Sequence, residues 1–86
     1  MRLILLDSRD NVAAAAENLV PGAVAMLGDT GIEILDAIPR GHKVALQPIP
    51  NGADVIRYGE VIGSTTVDVA IGQHVHVHNI VSKRLP

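Results

Sequence analysis

Residues 38–44 read Ile-Pro-Arg-Gly-His-Lys-Val, and residues 49–55 repeat the phrase as Ile-Pro-Asn-Gly-Ala-Asp-Val. A third copy without the proline occupies residues 69–75, and a shorter relative, Val-Pro-Gly-Ala-Val, occupies residues 20–24. Proline presets φ for the second position of a tight turn, and glycine accepts the positive φ that follows. Because β-branched residues flank the phrases, each predicts a strand, a tight turn and a second strand. The recurrence indicates a mostly-β domain of many short strands joined by Pro/Gly turns.

The segments between these turns also favour strands. Residues 2–6 are a short apolar run, residues 31–35 alternate apolar with exposed positions, and residues 55–62 are rich in β-branched side chains. Gly59 and Gly63 interrupt the last of these and are expected to be bends or bulges.

Only residues 12–19, Val-Ala-Ala-Ala-Ala-Glu-Asn-Leu, favour a helix by propensity, so at most one short helix is expected. The 86 residues are enough for a single domain, residues 1–86. The chain has no Phe, Trp or Cys and one Tyr, so its core must consist of small aliphatic side chains. Such a domain is marginally stable alone, which is a first indication of an assembly.

Charge and hydropathy exclude several classes of function. The net charge is −2, and the basic stripe with stacking aromatics that nucleic-acid binding requires is absent from the sequence. The N-terminal apolar run is too short for a signal peptide, and no stretch approaches the roughly 20 apolar residues of a membrane span. We therefore expect a cytoplasmic protein with neither nucleic acid nor a membrane as partner.

Three of the four histidines alternate in residues 72–79, Gly-Gln-His-Val-His-Val-His-Asn. If residues 73–80 are extended, His74, His76 and His78 share one face, and the intervening valines share the other. The valines would then anchor the strand to the core while the imidazoles point to solvent, a cleft or another chain.

The spacing of these histidines limits how they can bind a metal. Alternate Cα atoms of a strand are about 6.6 Å apart, so two neighbouring imidazoles of the series can reach one ion, and three on a straight strand cannot. The metal would take His74 and His76, or His76 and His78, and the remaining histidine would serve as an outer ligand or an acid/base. The missing ligand would come from elsewhere in the chain or from a partner. A plain polar strand face is the open alternative.

Two further candidates are less specific. His42 and Lys43 follow a glycine in a turn, where functional residues often occur, although exposed turn polarity also explains them. Tyr58 and Glu60 alternate on one strand and could hydrogen-bond a ligand, although a tyrosine commonly packs its ring against the protein and exposes its hydroxyl to water. No phosphate-binding loop or nucleophile motif is present in the sequence. The domain therefore has part of an active site.

Four stretches together resemble a known family: residues 10–22, 38–46, 49–63 and 72–79. They are similar to the small N-terminal domain of the altronate and galactarate dehydratases, and equally to the separately encoded small subunit of sulfolactate sulfo-lyase. Gly-His-Lys at 41–43, Tyr-Gly-Glu-Val-Ile-Gly at 58–63 and the His-x-His-x-His-Asn ending carry the resemblance. Galactarate dehydratases depart from that ending, so the sequence resembles the altronate or sulfolactate side more closely.

The resemblance implies a SAF-type β-clip fold and a lyase that removes water from a sugar acid, or sulfite from sulfolactate, by β-elimination. It also implies ferrous iron and a much larger catalytic domain or subunit as partner. The small chain is then a natural subunit or an excised domain and is inactive alone.

On this basis we expect roles for eight side chains. The expected metal ligands are His74 and His76. The expected catalytic residues are His42, Lys43 and His78, with Lys43 pairing with the substrate carboxylate. The expected substrate contacts are Tyr58, Glu60 and Asn79. The alternatives are a non-catalytic module that binds a sugar acid, and an assembly domain that holds oligomers through its strand edges, which leaves homodimerisation of the isolated chain open.

Overall fold

The fold consists of nine short strands in a computed structural model that describes residues 1–82. The strands are β1 (Leu3–Ile4), β2 (Val12–Ala15), β3 (Val24–Leu27), β4 (Thr30–Glu33), β5 (Lys43–Ala45), β6 (Asp54–Arg57), β7 (Glu60–Thr65), β8 (His74–Val75) and β9 (Ile80–Ser82). No helix occurs among the described residues, and hence none that could cross a membrane. The prediction of a mostly-β fold, consistent with a β-clip, is confirmed.

The strands form three antiparallel sheets. The largest has the order β1-β2-β5-β8, the second pairs β3 with β4, and the third has the order β6-β7-β9. Two aliphatic clusters form the core. One surrounds Ile34 and Ile38, and the other surrounds Ile49 and Val55, all of which are at most 2% exposed. Strand β5 supplies Val44 to the first cluster and the neighbouring Ala45 to the second. The central sheet therefore joins both halves of the core.

The four recurring phrases form four equivalent turns. In each turn a hydrogen bond closes the loop, and the glycine at the third position has φ between +81° and +87° (Gly22, Gly41, Gly52 and Gly72). Proline occupies the predicted second position only at Pro21. Pro39 and Pro50 stand at the first position, because their carbonyls accept the closing hydrogen bond. The turns were thus correctly located, while the proline position was wrong in two of them.

The second half of the chain repeats the first. Leu19 and Ile38 exchange both backbone hydrogen bonds, and Ile49 and Val69 do the same about thirty residues later. The β3–β4 hairpin corresponds in the same way to the β6–β7 hairpin, where a register shift next to Val55 accommodates an extra residue. The tandem arrangement sets β5 and β8 side by side, each directly after one of the equivalent turns.

The helical tendency of residues 12–19 is overridden by long-range pairing. Residues Val12–Ala15 form β2, which pairs with β1 on one side and β5 on the other. Val12, Ala13 and Ala15 are at most 3% exposed, so the small side chains of this run serve a buried central strand. Sheet pairing on both edges supplies the backbone hydrogen bonds that a helix would have formed locally.

Residues 73–80 are not extended throughout as predicted: only His74–Val75 and Ile80, the first residue of β9, belong to strands. Residues 77–79 form a turn, and Val77 is 80% exposed instead of anchoring the strand. The cause is Asn79, whose Oδ1 accepts a hydrogen bond from the His76 N–H at 2.9 Å and whose Nδ2 donates to the His74 carbonyl at 2.8 Å. An asparagine side chain competes in this way with sheet pairing.

The glycines of the β6–β7 hairpin have the roles that the sequence predicts. Tyr58 and Gly59 both have positive φ, +57° and +70°, which is typical of a tight type I′ hairpin turn. Gly63 lies at the register shift, where the carbonyl of Val81 occupies the space a side chain would need.

Candidate metal centre

The pairing of β5 with β8 brings His42 next to His74. Val44 lies opposite His74 in the register, and His42 closes the turn that leads into β5. The result is a distance of 2.9 Å between His42 Nδ1 and His74 Nε2. At least one of the two rings must be neutral, because one nitrogen donates and the other accepts.

The turn over residues 77–79 keeps His76 beside the same pair. Its ring stacks on His42 with centroids 4.2 Å apart and planes inclined by 21°, and its centroid is 5.4 Å from that of His74. The buried Nδ1 of His76 has no hydrogen-bond partner among the described residues. One nitrogen from each of the three rings lies within 4.8 Å of the other two. We call these three residues the histidine cluster.

Burial and mutual repulsion favour the neutral forms of His74 and His76. Desolvation is the main cause that lowers the pKa of His74 below 6.5, the neighbouring histidines lower it further, and Asp36 opposes the shift. The pKa of His76 is also lowered, first by desolvation and then by His42, Lys43 and His78. Neutral imidazole is the form that binds a metal ion.

The donor set fits a divalent transition metal. Two ligand atoms at right angles, each about 2.1 Å from an ion, are about 3.0 Å apart, close to the distance between His42 Nδ1 and His74 Nε2. Imidazole suits iron, zinc, copper and nickel, and three ligands from one protein leave positions open for a substrate. The unpartnered Nδ1 of His76 is a ligand atom without another described role. The residues therefore fit the ferrous iron that the sequence resemblance implies.

His42 is the member of the histidine cluster that sequence reasoning assigned to catalysis instead. The sequence required a third ligand from elsewhere, and the structure brings His42 to that position beside His74 and His76. One signal could have identified it. His42 and His74 follow the glycines of two copies of the same turn phrase, and copies of one phrase are expected to lead into corresponding strands.

His78 and Lys43 flank the histidine cluster. The exposed His78 ring lies 5.1 Å from the His74 ring, tilted by 39°. Lys43 is half-buried, and desolvation together with the charge of Arg57 lowers its pKa. Lys43 forms no ion pair within residues 1–82. Both side chains thus remain available to a ligand.

The predicted substrate contacts occupy two different places. Tyr58 lies in the turn of the β6–β7 hairpin and Glu60 directly follows the turn. The Tyr58 ring is 63% exposed and lies 5.5 Å from the Arg57 guanidinium carbon. Asn79 is 6% exposed and uses both side-chain polar atoms on the backbone of His74 and His76. Asn79 therefore positions the histidine cluster. Substrate contact by these three residues stays a prediction.

A cavity of about 520 Å³ lies beside His74. His78 and Asn79 line it together with Asp36, Asp68 and Gln73. Asp36 also accepts a hydrogen bond from the backbone N–H of His74 at 2.9 Å. His74 thus belongs both to the histidine cluster and to the wall of a cavity large enough for a small metabolite.

Comparison with known proteins identifies the family of the chain. The model of the altronate/galactarate dehydratase SAF domain matches residues 1–83. The chain belongs to this family. It is 40% identical over 76 residues to altronate dehydratase of Bacillus subtilis, and 40% identical over 79 residues to that of Escherichia coli. These matches cover 88% and 92% of the chain but only 15% and 16% of the two relatives.

The chain is also similar to a subunit of a second kind of lyase. The chain is 51% identical over 47 residues to the alpha subunit of (2R)-sulfolactate sulfo-lyase from Paracoccus pantotrophus, a match that covers 55% of this chain and 70% of the relative. The suspected SAF domain is therefore confirmed.

Proposed function

We propose that this SAF domain is the small subunit or domain of a hydroxy-acid lyase, of the sugar-acid dehydratase type. In this proposal the histidine cluster holds ferrous iron, and a larger catalytic domain or subunit completes the site. The observation that carries the proposal is the convergence of three imidazoles, one with an unpartnered buried nitrogen. The small share of the altronate dehydratases that the chain covers supports the need for a larger partner.

The elimination removes the proton α to a carboxylate and expels the β-hydroxyl as water. His42, His74 and His76 hold the metal, which when bound supplies a Lewis acid for an oxygen of the substrate. Asn79 fixes the backbone of two of these ligands, so that the rings keep their positions when the substrate arrives.

Two side chains next to the histidine cluster act on the substrate. One transfers a proton, and the other binds the carboxylate. His78 stands beside the histidine cluster at the wall of the cavity and transfers a proton during the elimination. Lys43 has no anionic partner among residues 1–82 and binds the substrate carboxylate as a point charge. Tyr58 and Glu60 contact the substrate from the β6–β7 hairpin. We propose the cytoplasm as the location of the lyase.

A sulfolactate lyase is the second candidate, because a free-standing alpha subunit shares 51% identity with the chain over 47 residues. In that case sulfite leaves instead of water, and the same three histidines hold the metal.

The test uses the chain reconstituted with its large partner. We expect His76→Ala to remove most of the bound iron and to lower kcat for keto-acid formation from altronate by about 100-fold. Val77→Ala is the matched control, because the neighbouring Val77 side chain is 80% exposed and has no role in the histidine cluster. It should leave iron content and turnover unchanged.

Two results would contradict the metal assignment. Retained iron with a raised KM would indicate a module that binds the sugar acid without touching the metal. Unchanged iron content and unchanged turnover would indicate that the domain has an assembly role. Size-exclusion chromatography with and without the large partner would then test whether the domain holds the oligomer together.

A further inference from the structure

The cavity beside His74 is lined by hydrogen-bond acceptors. Its carboxylates, Asp36 and Asp68, each use one oxygen to accept a hydrogen bond from a backbone N–H, at 2.9 Å from His74 and 2.8 Å from Asn51. The second oxygen of each accepts no hydrogen bond from the described residues. The second carboxylate oxygen of Asp36 and that of Asp68 can therefore each accept a hydrogen bond from a ligand.

The lining of the cavity carries two carboxylates and no permanently charged cation among residues 1–82. Neither lysine nor arginine lines it within residues 1–82, and its two imidazoles belong to His74 and His78. A second anionic group on a ligand would therefore face two carboxylates and neither a lysine nor an arginine of the lining, whereas neutral hydroxyl groups could donate hydrogen bonds to the carboxylates.

The cavity and the histidine cluster share His74, so that one ligand can reach both. The Asp36 carboxylate accepts from the His74 backbone, and the Nε2 of the same residue faces His42. A sugar acid likewise has two parts, a carboxylate at one end and a chain of hydroxyl groups. Its carboxylate end would lie toward the cluster and Lys43, and its hydroxylated end would fill the cavity.

We infer that the cavity binds the neutral, hydroxylated carbon chain of a sugar acid and selects monocarboxylates over dicarboxylates. Asp36 and Asp68 are then specificity-determining residues, which accept hydroxyl hydrogens and repel a second carboxylate. This inference rests on the proposed function, since it names the substrate class of that site. The cavity would favour an aldonate over an aldarate. It would also favour an aldonate over a sulfonate, because the second negative charge of the sulfonate would enter the cavity.

The experiment titrates the isotope-labelled, metal-free chain with D-altronate, which carries one negative charge, and with galactarate, which carries two. Amide chemical shifts in two-dimensional NMR at constant ionic strength report binding at Asp68, Gln73, His78 and Asn79. We expect altronate to shift these amides and to bind about tenfold more tightly than galactarate.

Asp68→Asn removes one charge and keeps an oxygen that can accept the hydrogen bond from Asn51. It should reduce the preference to about threefold or less, and Asp36→Asn should act in the same direction. Asp29→Asn is the matched control, because it removes the same charge from the exposed β3–β4 turn, outside the cavity lining. It should leave the preference unchanged.

Three results would overturn the inference: equal or tighter binding of galactarate, an unchanged preference in both cavity variants, or no shift of the cavity amides with either compound. The measurement needs neither metal nor the large partner. A reconstituted complex without turnover would therefore contradict the proposed function, while an intact preference in the titration would still support the cavity assignment.

Discussion

Two groups of buried or half-buried polar side chains among residues 1–82 differ in how their hydrogen bonds are satisfied. At the first, which we call the Asp10–Asn11 corner, Asp10 accepts from the backbone N–H groups of Tyr58 and Gly59. Asn11 donates to the Asp54 carbonyl and accepts from the Ile56 N–H, both at 2.8 Å. The second group is the histidine cluster, which has one hydrogen bond between rings and an unpartnered nitrogen.

The comparison distinguishes polar residues that stabilise the fold from polar residues that have an atom free to bind a ligand. The corner residues are 8% and 7% exposed, and their side chains join β2 to the β6–β7 hairpin through bonds within the chain. A buried polar atom without a partner costs free energy, and a ligand bound to Nδ1 of His76 would offset that cost. The polar residues with full partners are therefore the structural ones.

The largest effect is expected for Asn11→Ala. The variant leaves the Asp54 carbonyl and the Ile56 N–H without their Asn11 partner, and we expect it to lower the free energy of unfolding by about 3 kcal/mol in urea denaturation. Asn18→Ala is the matched control, because exposed Asn18 makes a single bond to the Arg40 N–H. Equal losses in both variants would contradict the structural role of the corner.

A smaller effect of opposite sign is expected when metal binds the cluster. With Zn²⁺ as an air-stable probe at about 100 times its Kd, linkage should add about 2.7 kcal/mol to the free energy of unfolding of the isolated chain. His76→Ala should lose this increment, whereas His78→Ala should keep it, since His78 lies outside the three converging nitrogens. An increment that survives in His76→Ala would contradict the assignment of the ligands.

The smallest effect is the pH dependence of the metal-free chain. Because folding lowers the pKa of His74 and His76, the unfolded chain binds more protons than the folded chain once the pH falls below about 6.5. Stability should thus decrease on acidification from pH 7.5 to 5.5. His42, His78 and Lys43 repel the added protons, and Asp36 attracts them.

The His74→Gln, His76→Gln double variant should show a weaker decrease, measured as the shift of the urea midpoint between the two pH values. Asn11→Ala should keep the full decrease, because the corner does not include a histidine. A midpoint that stays constant in the wild-type chain would contradict the pKa shifts.

The strand-and-turn architecture could be predicted because its signals are local. The positive φ required at a tight turn places glycine at a fixed distance from the flanking strands, and the burial of Ile32 and Ile34 follows the alternation of their strand. Residues 12–19 could not be assigned in this way. Their alanines favour a helix, and only pairing with strands far along the chain decides the outcome.

The arrangement of the histidines could likewise be predicted only where its signals are local. The histidine-rich segment was evident, but its path depends on one side chain, Asn79, which bends the chain after Val75. The proximity of His42 and His74 depends on the register of β5 against β8, and no local periodicity reports a register between distant strands. Asn79 itself was a signal, since asparagine favours turns.

Among the four equivalent turns, Gly72 differs from Gly52 in its surroundings. A Cβ at residue 52 would meet no atom within 4 Å, whereas one at residue 72 would collide with the carbonyl of Glu33. Saturation mutagenesis would therefore recover asparagine and aspartate beside glycine at residue 52, because both tolerate a left-handed backbone. At residue 72 selection for folding should return glycine alone. Two codons in one repeated phrase would thus evolve under very different constraint.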